Sequence, residues 1–206
     1  MTAQIPDTVV YEDRTFSVAG VNGNGLFTPE VIGLAVQMTS TACWRGYHCQ
    51  YTIRDGNLYL TRLTVGLTDE DDAKAENGVG PVVFGHLPRR EAYEYEDIDG
   101  NKGTDWGDWF FDGFFHPVAY TGGLLIGDDF IREMYVHMGF HPAYKFRQVF
   151  ELIFEDGVLS AATDRSTQMA DFREMIAKRP LSPPDPDDKK AIKDWIENAF
   201  SLDYRM

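Results

Sequence analysis

Two histidines, His137 and His141, stand four residues apart, a spacing that places two imidazoles on one helix face and suits a metal ion. Gly139 lies between them and Pro142 follows, and a proline disfavours helical geometry in the residue before it. A helix through this region is therefore expected to end before His141. We predict a histidine at a helix C-terminus, stabilised there by the helix dipole, with a metal site at the two histidines as the alternative.

The segment 105–116 has the most unusual local composition, with four Phe, two Trp and three Asp. Aromatic rings beside carboxylates often hold sugars or cations, because the rings stack and the carboxylates accept hydrogen bonds. The alternative is a buried crossover in which the Asp residues only form turns. The ligand-binding candidates from this segment are Trp106, Asp108, Trp109, Asp112 and His116.

Two cations, Arg45 and Lys145, fall about 100 residues apart, each just before a predicted strand. If the two strands were related by symmetry, both cations could line the seam and bind an anion. We therefore add Arg45 and Lys145 to the ligand-binding candidates. The alternative is that both are solvated residues at strand starts.

The two cysteines, Cys43 and Cys49, are predicted to be free thiols. On one extended strand they would lie about 20 Å apart, whereas a disulfide needs Cα atoms within about 7 Å. Free thiols fit a reducing compartment. His48 is adjacent to Cys49, but neighbouring residues on a strand point to opposite faces, so we expect no Cys–His catalytic pair.

The chain of 206 residues carries a formal net charge of −14. This charge repels phosphate backbones and anionic membrane surfaces, which argues against nucleic-acid and membrane partners. It serves solubility, or it attracts a basic protein partner. Residues 1–13 have neither a basic nor an apolar signal-peptide region, and the longest apolar runs are under ten residues. We expect a cytoplasmic protein.

Three blocks of sequence recur in the same order at an offset of 99 to 101 residues, which predicts that the strands and helices carrying these residues form a repeat. The paired blocks are 18–20 with 118–120, 26–32 with 125–131, and 51–58 with 152–159. A duplicated half would produce a pseudo-two-fold fold with a groove between the halves. The alternative is coincidence, since Asp-Gly turns between apolar runs are common in sheet proteins.

Turn signals and apolar periodicity divide the chain into predicted elements. Ser166 to Lys178 shows helical spacing through Met169, Phe172 and Ile176. The predicted elements are a strand at 9–20, a helix from Pro29, a hairpin at 44–66, an acidic loop at 68–80, a strand at 118–126, a helix at 128–137, a hairpin at 145–164, a helix at 166–178, and a Pro-rich linker at 180–186.

A last helix is predicted in 187–206, with Asp187 as its cap. Its apolar stripe consists of Ala191, Ile192, Trp195, Ile196, Ala199 and Phe200. An isolated helix of this length is marginal in water, so the stripe must dock. We expect it to pack on its own domain, with a second copy or another protein as the alternative.

The sequence predicts an α+β fold of two tandem related halves, each with antiparallel strands and a short helix, forming one sheet system or a partly closed barrel. Two C-terminal helices would cover it. The domain division is 1–179, with halves at about 9–67 and 117–166 and a linking insertion at 81–116, followed by the helix in 187–206.

The functional hypothesis is a binding or interaction protein that uses the inter-half groove and the segment 105–116. Its partner would be a small polar ligand or a basic protein, with no cofactor, and the chain would be a monomer or a homodimer. The alternative is an enzyme acting on a small polar substrate through Asp108, Asp112, His116 and His137. Motifs of P-loop, dinucleotide-binding and G-x-S-x-G enzymes are absent, which leaves other enzyme classes open.

Overall fold

The structure is a computed structural model that describes residues 2–97, 100–178, 190, 193–194, 199 and 201–204. The described part is mostly β. Its strands are β1 (Thr8–Tyr11), β2 (Arg14–Asn24), β3 (Tyr47–Arg54), β4 (Asn57–Val65), β5 (Ala92–Glu96), β6 (Lys102–Trp106), β7 (Trp109–Pro117), β8 (Thr121–Phe130), β9 (Phe146–Glu155) and β10 (Val158–Asp164). Its α-helices are α1 (Asp69–Glu76) and α2 (Ser166–Lys178), and short 3-10 turns occupy Pro29–Ile32, Arg132–Met134 and Ala143–Lys145.

Seven strands form a closed barrel in the order β10-β9-β8-β2-β1-β3-β4, and β10 pairs with β4 to complete it. Neighbouring strands are antiparallel except β1 and β3, which run parallel. Strand β7 pairs with β4 beyond the point of closure, and β5 and β6 form a separate hairpin.

The barrel closes through two hairpin turns, Asp55-Gly56 and Asp156-Gly157. All four residues have positive φ, between 50° and 81°. This is the backbone of a type I′ turn, for which Asp-Gly is a favoured pair because glycine tolerates positive φ. The N–H groups of Leu58 and Leu159 each donate to the glycine carbonyl of the opposite turn, at 2.8 and 2.7 Å. The turns that reverse the hairpins therefore also join the two edges of the barrel.

The barrel interior is filled by apolar side chains, since alternate residues of each strand point inward. Val18, Leu124 and Leu152 belong to the main core cluster. Ala19 and Leu125, which are their neighbours in sequence, belong to a second apolar cluster on the outer face. The fully buried side chains include large ones, namely Phe16, Tyr51, Phe111, Tyr120 and Phe154. Binding surfaces are therefore expected outside the barrel.

The predicted two-half α+β fold is wrong, because the strands form one closed β-barrel with few helices. Strand β1 lies between β2 and β3, whereas β8 and β9 are direct neighbours. The repeated blocks also adopt different structures: Pro29–Ile32 is a 3-10 turn, but its counterpart 128–131 includes the end of β8. Only the hairpin blocks share a local structure, because both contain the Asp-Gly turn.

The predicted helix at 128–137 is also wrong. Asp128 and Asp129, at the start of that predicted helix, lie at the end of β8 and bind Arg14 and Arg147 on neighbouring strands. A 3-10 turn at Arg132–Met134 is the helical structure found there. The pairing of β8 with β9 continues past this acidic pair, with Asp128 opposite Gln148 and Phe130 opposite Phe146. The two carboxylates therefore form ion pairs across strands instead of capping a helix.

The predicted hairpins at 44–66 and 145–164 and the helix at Ser166–Lys178 are confirmed. Most of the stripe in 187–206, including Trp195, Ile196 and Phe200, lies outside the described residues. The described end of the chain contacts the barrel: the Val21 N–H donates to the Leu202 carbonyl at 2.7 Å, and the Tyr204 N–H donates to the Val21 carbonyl at 3.2 Å.

Within the described residues, no helix has both the length and the apolar character needed to cross a membrane.

Candidate functional site

A cavity of about 850 Å³ lies against the outer face of β2, β8 and β9. Ala19 and Leu125 form its floor, and the small side chain of Ala19 leaves space above the sheet. Met169 and Phe172 of α2 cover it from one side. The segment 131–145 and the chain end at 201–204 form the remaining walls.

The walls are mainly apolar, with a few polar groups. The described apolar residues that line the cavity are Ala19, Leu125, Val136, Met138, Phe140, Pro142, Ala143, Met169, Phe172, Ala199 and Leu202. Six side chains with ionisable groups also line it, namely Tyr144, Lys145, Glu151, Arg165, Asp203 and Tyr204. A largely apolar concavity with a few convergent polar groups is typical of a small-molecule site.

Lys145 is the only cation of the cavity wall that lacks a carboxylate partner among the described residues. It ends the 3-10 turn Ala143–Lys145 and is only 6% exposed. Its ammonium lies 3.4 Å from Nδ1 of His141. Burial lowers the pKa of Lys145 below its usual range, because the charged form loses its hydration.

The backbone around Lys145 is held by other elements. The Ile131 N–H donates to the Lys145 carbonyl at 2.9 Å. Arg173 of α2 donates to the carbonyls of Tyr144 and Phe146, both at 2.9 Å. Helix α2 and the residue that follows β8 together therefore fix the backbone of the residue that presents the ammonium.

His141 is packed between aromatic rings, with centroids 4.7 Å from Phe130 and 5.2 Å from Tyr135. Burial, and then the charge of Lys145, lower the pKa of His141 to about 4, so the imidazole is neutral near pH 7. When Lys145 donates to Nδ1, the proton of the neutral ring is on Nε2. That nitrogen is buried and has no hydrogen-bond partner in the described structure.

Glu151 is the outward-facing carboxylate of β9 and is 4% exposed. It accepts hydrogen bonds from Arg165 at 2.5 and 2.9 Å and from the Tyr204 hydroxyl at 3.2 Å. Burial and the Glu151 charge raise the pKa of Tyr204, which keeps the phenol protonated as the donor. Because Glu151 is already satisfied, it does not neutralise Lys145.

The free energy of unfolding is expected to fall as the pH drops from 6.5 to about 4, because of His141. The unfolded chain binds a proton there with the ordinary pKa of 6.5, whereas the folded protein binds it only near pH 4. The contribution is complete above 6.5 and is lost progressively below it. This difference in pKa corresponds to about 3 kcal/mol, measurable by denaturant titration across that range.

The matched control for this prediction is an exposed histidine of the same segment. His141→Gln should remove the excess loss of stability at acid pH, while His137→Gln should leave it unchanged. Carboxylates that titrate in the same range are common to all three proteins and cancel in the difference. Equal pH profiles for His141→Gln and the unmodified protein would contradict the assignment.

The aromatic residues of segment 105–116 lie mostly in the core. Trp109, Phe110, Phe111 and Phe114 are buried, whereas Trp106 and Phe115 are 52% and 55% exposed. The Trp109 ring nitrogen donates to Asp72 of α1 at 2.5 Å. The two exposed rings do not belong to the walls of the cavity described above.

The polar candidates of this segment are dispersed. Asp112 is ion-paired with Arg89. The His116 ring stacks on Phe84, with centroids 3.8 Å apart. Asp108 lines a second, smaller cleft. The structure therefore does not bring Asp108, Asp112 and His116 into one site.

The two cation candidates also separate. Arg45 forms a two-pronged ion pair with Asp7, at 2.6 and 3.3 Å, and so is already neutralised. Of these two candidates, Lys145 lines the apolar cavity and Arg45 does not. The pairing of Arg45 with Lys145 across a seam depended on a symmetry that the barrel does not have.

The metal candidates are not assembled into a centre. The His137 ring packs edge-on against Tyr135 at 4.8 Å, while His141 contacts Lys145. Within the described ranges, no group of three or more His, Cys, Asp or Glu side chains is arranged to hold a metal ion.

The prediction of two free cysteines is confirmed, since Cys43 and Cys49 are both unpaired and buried. Burial raises the pKa of each thiol above its usual value. Raised thiol pKa values disfavour the nucleophilic thiolate, so neither residue is a candidate nucleophile.

Sequence reasoning missed the Glu151, Arg165 and Tyr204 network. One signal was present: Glu151 is a single carboxylate within the apolar run of 149–154. A lone charge in such a run is expected to have a buried partner. The partner itself could not be found, because Arg165 and Tyr204 reach Glu151 only through the tertiary fold.

The chain matches no protein-family model, no curated protein and no solved structure.

Proposed function

We propose that the protein binds a small apolar molecule carrying one carboxylate, held in the outer cavity with its charged end at Lys145. The observation that carries this proposal is a buried ammonium without a carboxylate partner in the described structure, located in an apolar wall. A ligand carboxylate would supply the missing countercharge.

The energetics favour such a ligand. An ammonium removed from water is costly unless it is paired, and its neutral neighbour His141 offers a dipole but no charge. A carboxylate would form a charge-assisted hydrogen bond with Lys145 and raise its lowered pKa. The cavity volume of about 850 Å³ lies within the ordinary range for small-molecule sites.

Helix α2 supports the proposal from the other side of the cavity. None of its residues is buried, and Phe172 is 36% exposed although it belongs to the apolar face formed by Met169, Phe172 and Ile176. Met169 packs against the outer apolar cluster and the Phe172 ring lies 5.3 Å from Tyr144, yet both side chains also line the cavity. An apolar ligand body would bury more of this helix face and of the outer face of the sheet.

The proposal stays within the binding class that the sequence favours but changes the ligand, since an apolar cavity does not suit a small polar molecule. The enzyme alternative loses support because its acid-base residues lie apart. Asp112 and His116 have partners of their own, and His137 is not near Asp108 in a common cavity.

The test uses dodecanoate and dodecanol as probes in calorimetric titrations. Dodecanoate should bind the unmodified protein more tightly than dodecanol. Lys145→Met keeps the length and apolar stem of the side chain but removes the charge. We expect it to weaken dodecanoate binding about 10- to 100-fold, as for loss of a charged hydrogen bond, and to leave dodecanol binding nearly unchanged.

Lys102→Met is the matched control, because Lys102 is an exposed lysine on the separate hairpin and its side chain is 80% accessible. It should bind both probes as the unmodified protein does. A cavity-filling variant, Ala19→Leu, should weaken both probes together. Failure of dodecanoate to bind, or equal losses in the two lysine variants, would refute the proposal.

A further inference from the structure

A second cleft, of about 540 Å³, lies on the outer face of β1, β3 and β4, beneath the turn that joins β6 to β7. Unlike the first cavity, it is lined by many polar groups. Those relevant to its chemistry are His48, Gln50, Arg62, Glu91, Asp108 and Phe110. Strands β3 and β4 place His48, Gln50 and Arg62, and the β6–β7 turn places Asp108 opposite them.

The cation of this cleft is Arg62, which lies at an irregularity in the pairing of β4 with both of its neighbours. Its guanidinium carbon is 3.6 Å from the centroid of the Phe110 ring, so the side chain is held against an aromatic face. Asp112 is its cross-strand neighbour on β7, but that carboxylate is ion-paired with Arg89. Arg62 therefore has no carboxylate partner in the described part of the chain.

The anions of the cleft are Glu91 and Asp108, both exposed. Neither carboxylate has an ion pair or a side-chain hydrogen bond to another described residue. Yet the Glu91 carbonyl accepts from the Gly107 N–H at 2.9 Å, which ties the two acidic positions to each other through the backbone. One cation and two anions thus line the same cleft without neutralising each other.

This arrangement selects for a ligand with the complementary charges. A simple anion would face two carboxylates, and a simple cation would face Arg62. A neutral ligand would cover the charges without pairing them. A molecule with one carboxylate and two cationic groups could pair all three, with Phe110 beside it as an apolar wall.

We infer that the cleft binds a basic amino acid, with its carboxylate at Arg62 and its two cationic groups at Asp108 and Glu91. Arginine side chains recognise carboxylates through two parallel hydrogen bonds, which suits the fixed guanidinium. His48 and Gln50 supply further hydrogen-bonding groups on the same wall. The net charge of −14 also favours the encounter with a cationic molecule.

The probes that test this inference are L-lysine, cadaverine and L-norleucine, each titrated by calorimetry and by chemical-shift mapping. Cadaverine lacks the carboxylate of L-lysine, and norleucine lacks its side-chain ammonium. The unmodified protein should bind L-lysine at least about tenfold more tightly than either analogue, as expected for loss of one charged contact.

Arg62→Met keeps the contact with Phe110 but removes the charge, and it should abolish the preference for L-lysine over cadaverine. Asp108→Asn should reduce the preference for L-lysine over norleucine. Glu94→Gln, which removes an exposed carboxylate on β5, is the control and should change neither preference.

Equal affinities of the unmodified protein for L-lysine and cadaverine would overturn the inference, as would a lack of saturable L-lysine binding at millimolar concentration. Retention of the full preference for L-lysine over cadaverine in Arg62→Met would also overturn the inference. This site is independent of the apolar cavity. Dodecanoate binding should be unaffected by Arg62→Met, so the two proposals can fail separately.

Discussion

Replacing Phe111 with alanine is expected to lower the free energy of unfolding by about 3–5 kcal/mol, the range found for large aromatic truncations in cores. Phe111 has no exposed surface and belongs to the main core cluster of the barrel. It lies on β7 opposite Leu63, where β7 extends the sheet beyond the closure of the barrel. Removal of its ring would leave a cavity between β7 and the barrel interior.

Phe115 provides the control within the same strand, since it is 55% exposed. Its ring makes an edge contact with Tyr59, at 6.0 Å, and lies near Arg54. Phe115→Ala should therefore cost less than about 1 kcal/mol in the same denaturant titration. Similar losses for the two variants would show that β7 is not buried as described.

The local structure of this chain could be predicted where a short sequence pattern determines a turn or a helix. Asp55-Gly56 and Asp156-Gly157 fix both hairpins, because the favoured two-residue turns need positive φ. The spacing of Met169, Phe172 and Ile176 likewise predicts α2, whose start at Ser166 matches the structure. In each case the information lies within a few residues of the element it determines.

The neighbours of each strand could not be predicted in the same way. Strand β1 has only four residues, yet it lies between β2 and β3 and makes the parallel pair of the barrel. Nothing in its local pattern indicates a parallel partner. The apparent repeat reflects turns of the same chemistry, and strand pairing depends on contacts that are distant in sequence.

The candidate sites were predictable only in part for a related reason. Lys145 could be singled out from the sequence, but its surroundings come from α2, β8 and the chain end. No sequence pattern, by contrast, marks Arg62 as a candidate. It becomes a candidate because Phe110 holds it and because Asp112 binds Arg89 instead. Which charge has a partner is a property of the tertiary structure.

The packed barrel interior and the two outer cavities are formed by alternate residues of the same strands. The interior is filled by large rings, so it provides stability and no space for a ligand. The outer face of β2, β8 and β9 carries the apolar cavity, and that of β1, β3 and β4 carries the polar cleft. The same alternation of residues that builds the core thus determines which side chains are available for binding.

Replacing Asp7 with leucine should cost about 3–5 kcal/mol of stability, because it removes the buried partner of an ion pair. The Asp7 side chain is 8% exposed and accepts hydrogen bonds from Arg45 and, at 2.6 Å, from the Cys49 N–H. Its loss leaves the Arg45 charge uncompensated and a buried N–H without an acceptor. Asp128→Leu is the control, since the Arg14 and Asp128 side chains of its ion pair are 47% and 40% exposed, and it should cost at most about 1 kcal/mol.

The double variant Asp7→Leu/Arg45→Met distinguishes two sources of the stability lost in Asp7→Leu. One is the cost of leaving the Arg45 charge desolvated and unpaired, and the other is the loss of the attractive contacts that Asp7 makes. If the penalty of Asp7→Leu comes mainly from the unpaired Arg45 charge, removal of that charge should restore much of the lost stability. The coupling between the two substitutions would then be favourable and amount to about 1–3 kcal/mol. Strictly additive losses would mean that the Asp7 contribution comes from its bond to the Cys49 N–H, and that Arg45 is well enough hydrated to stand alone.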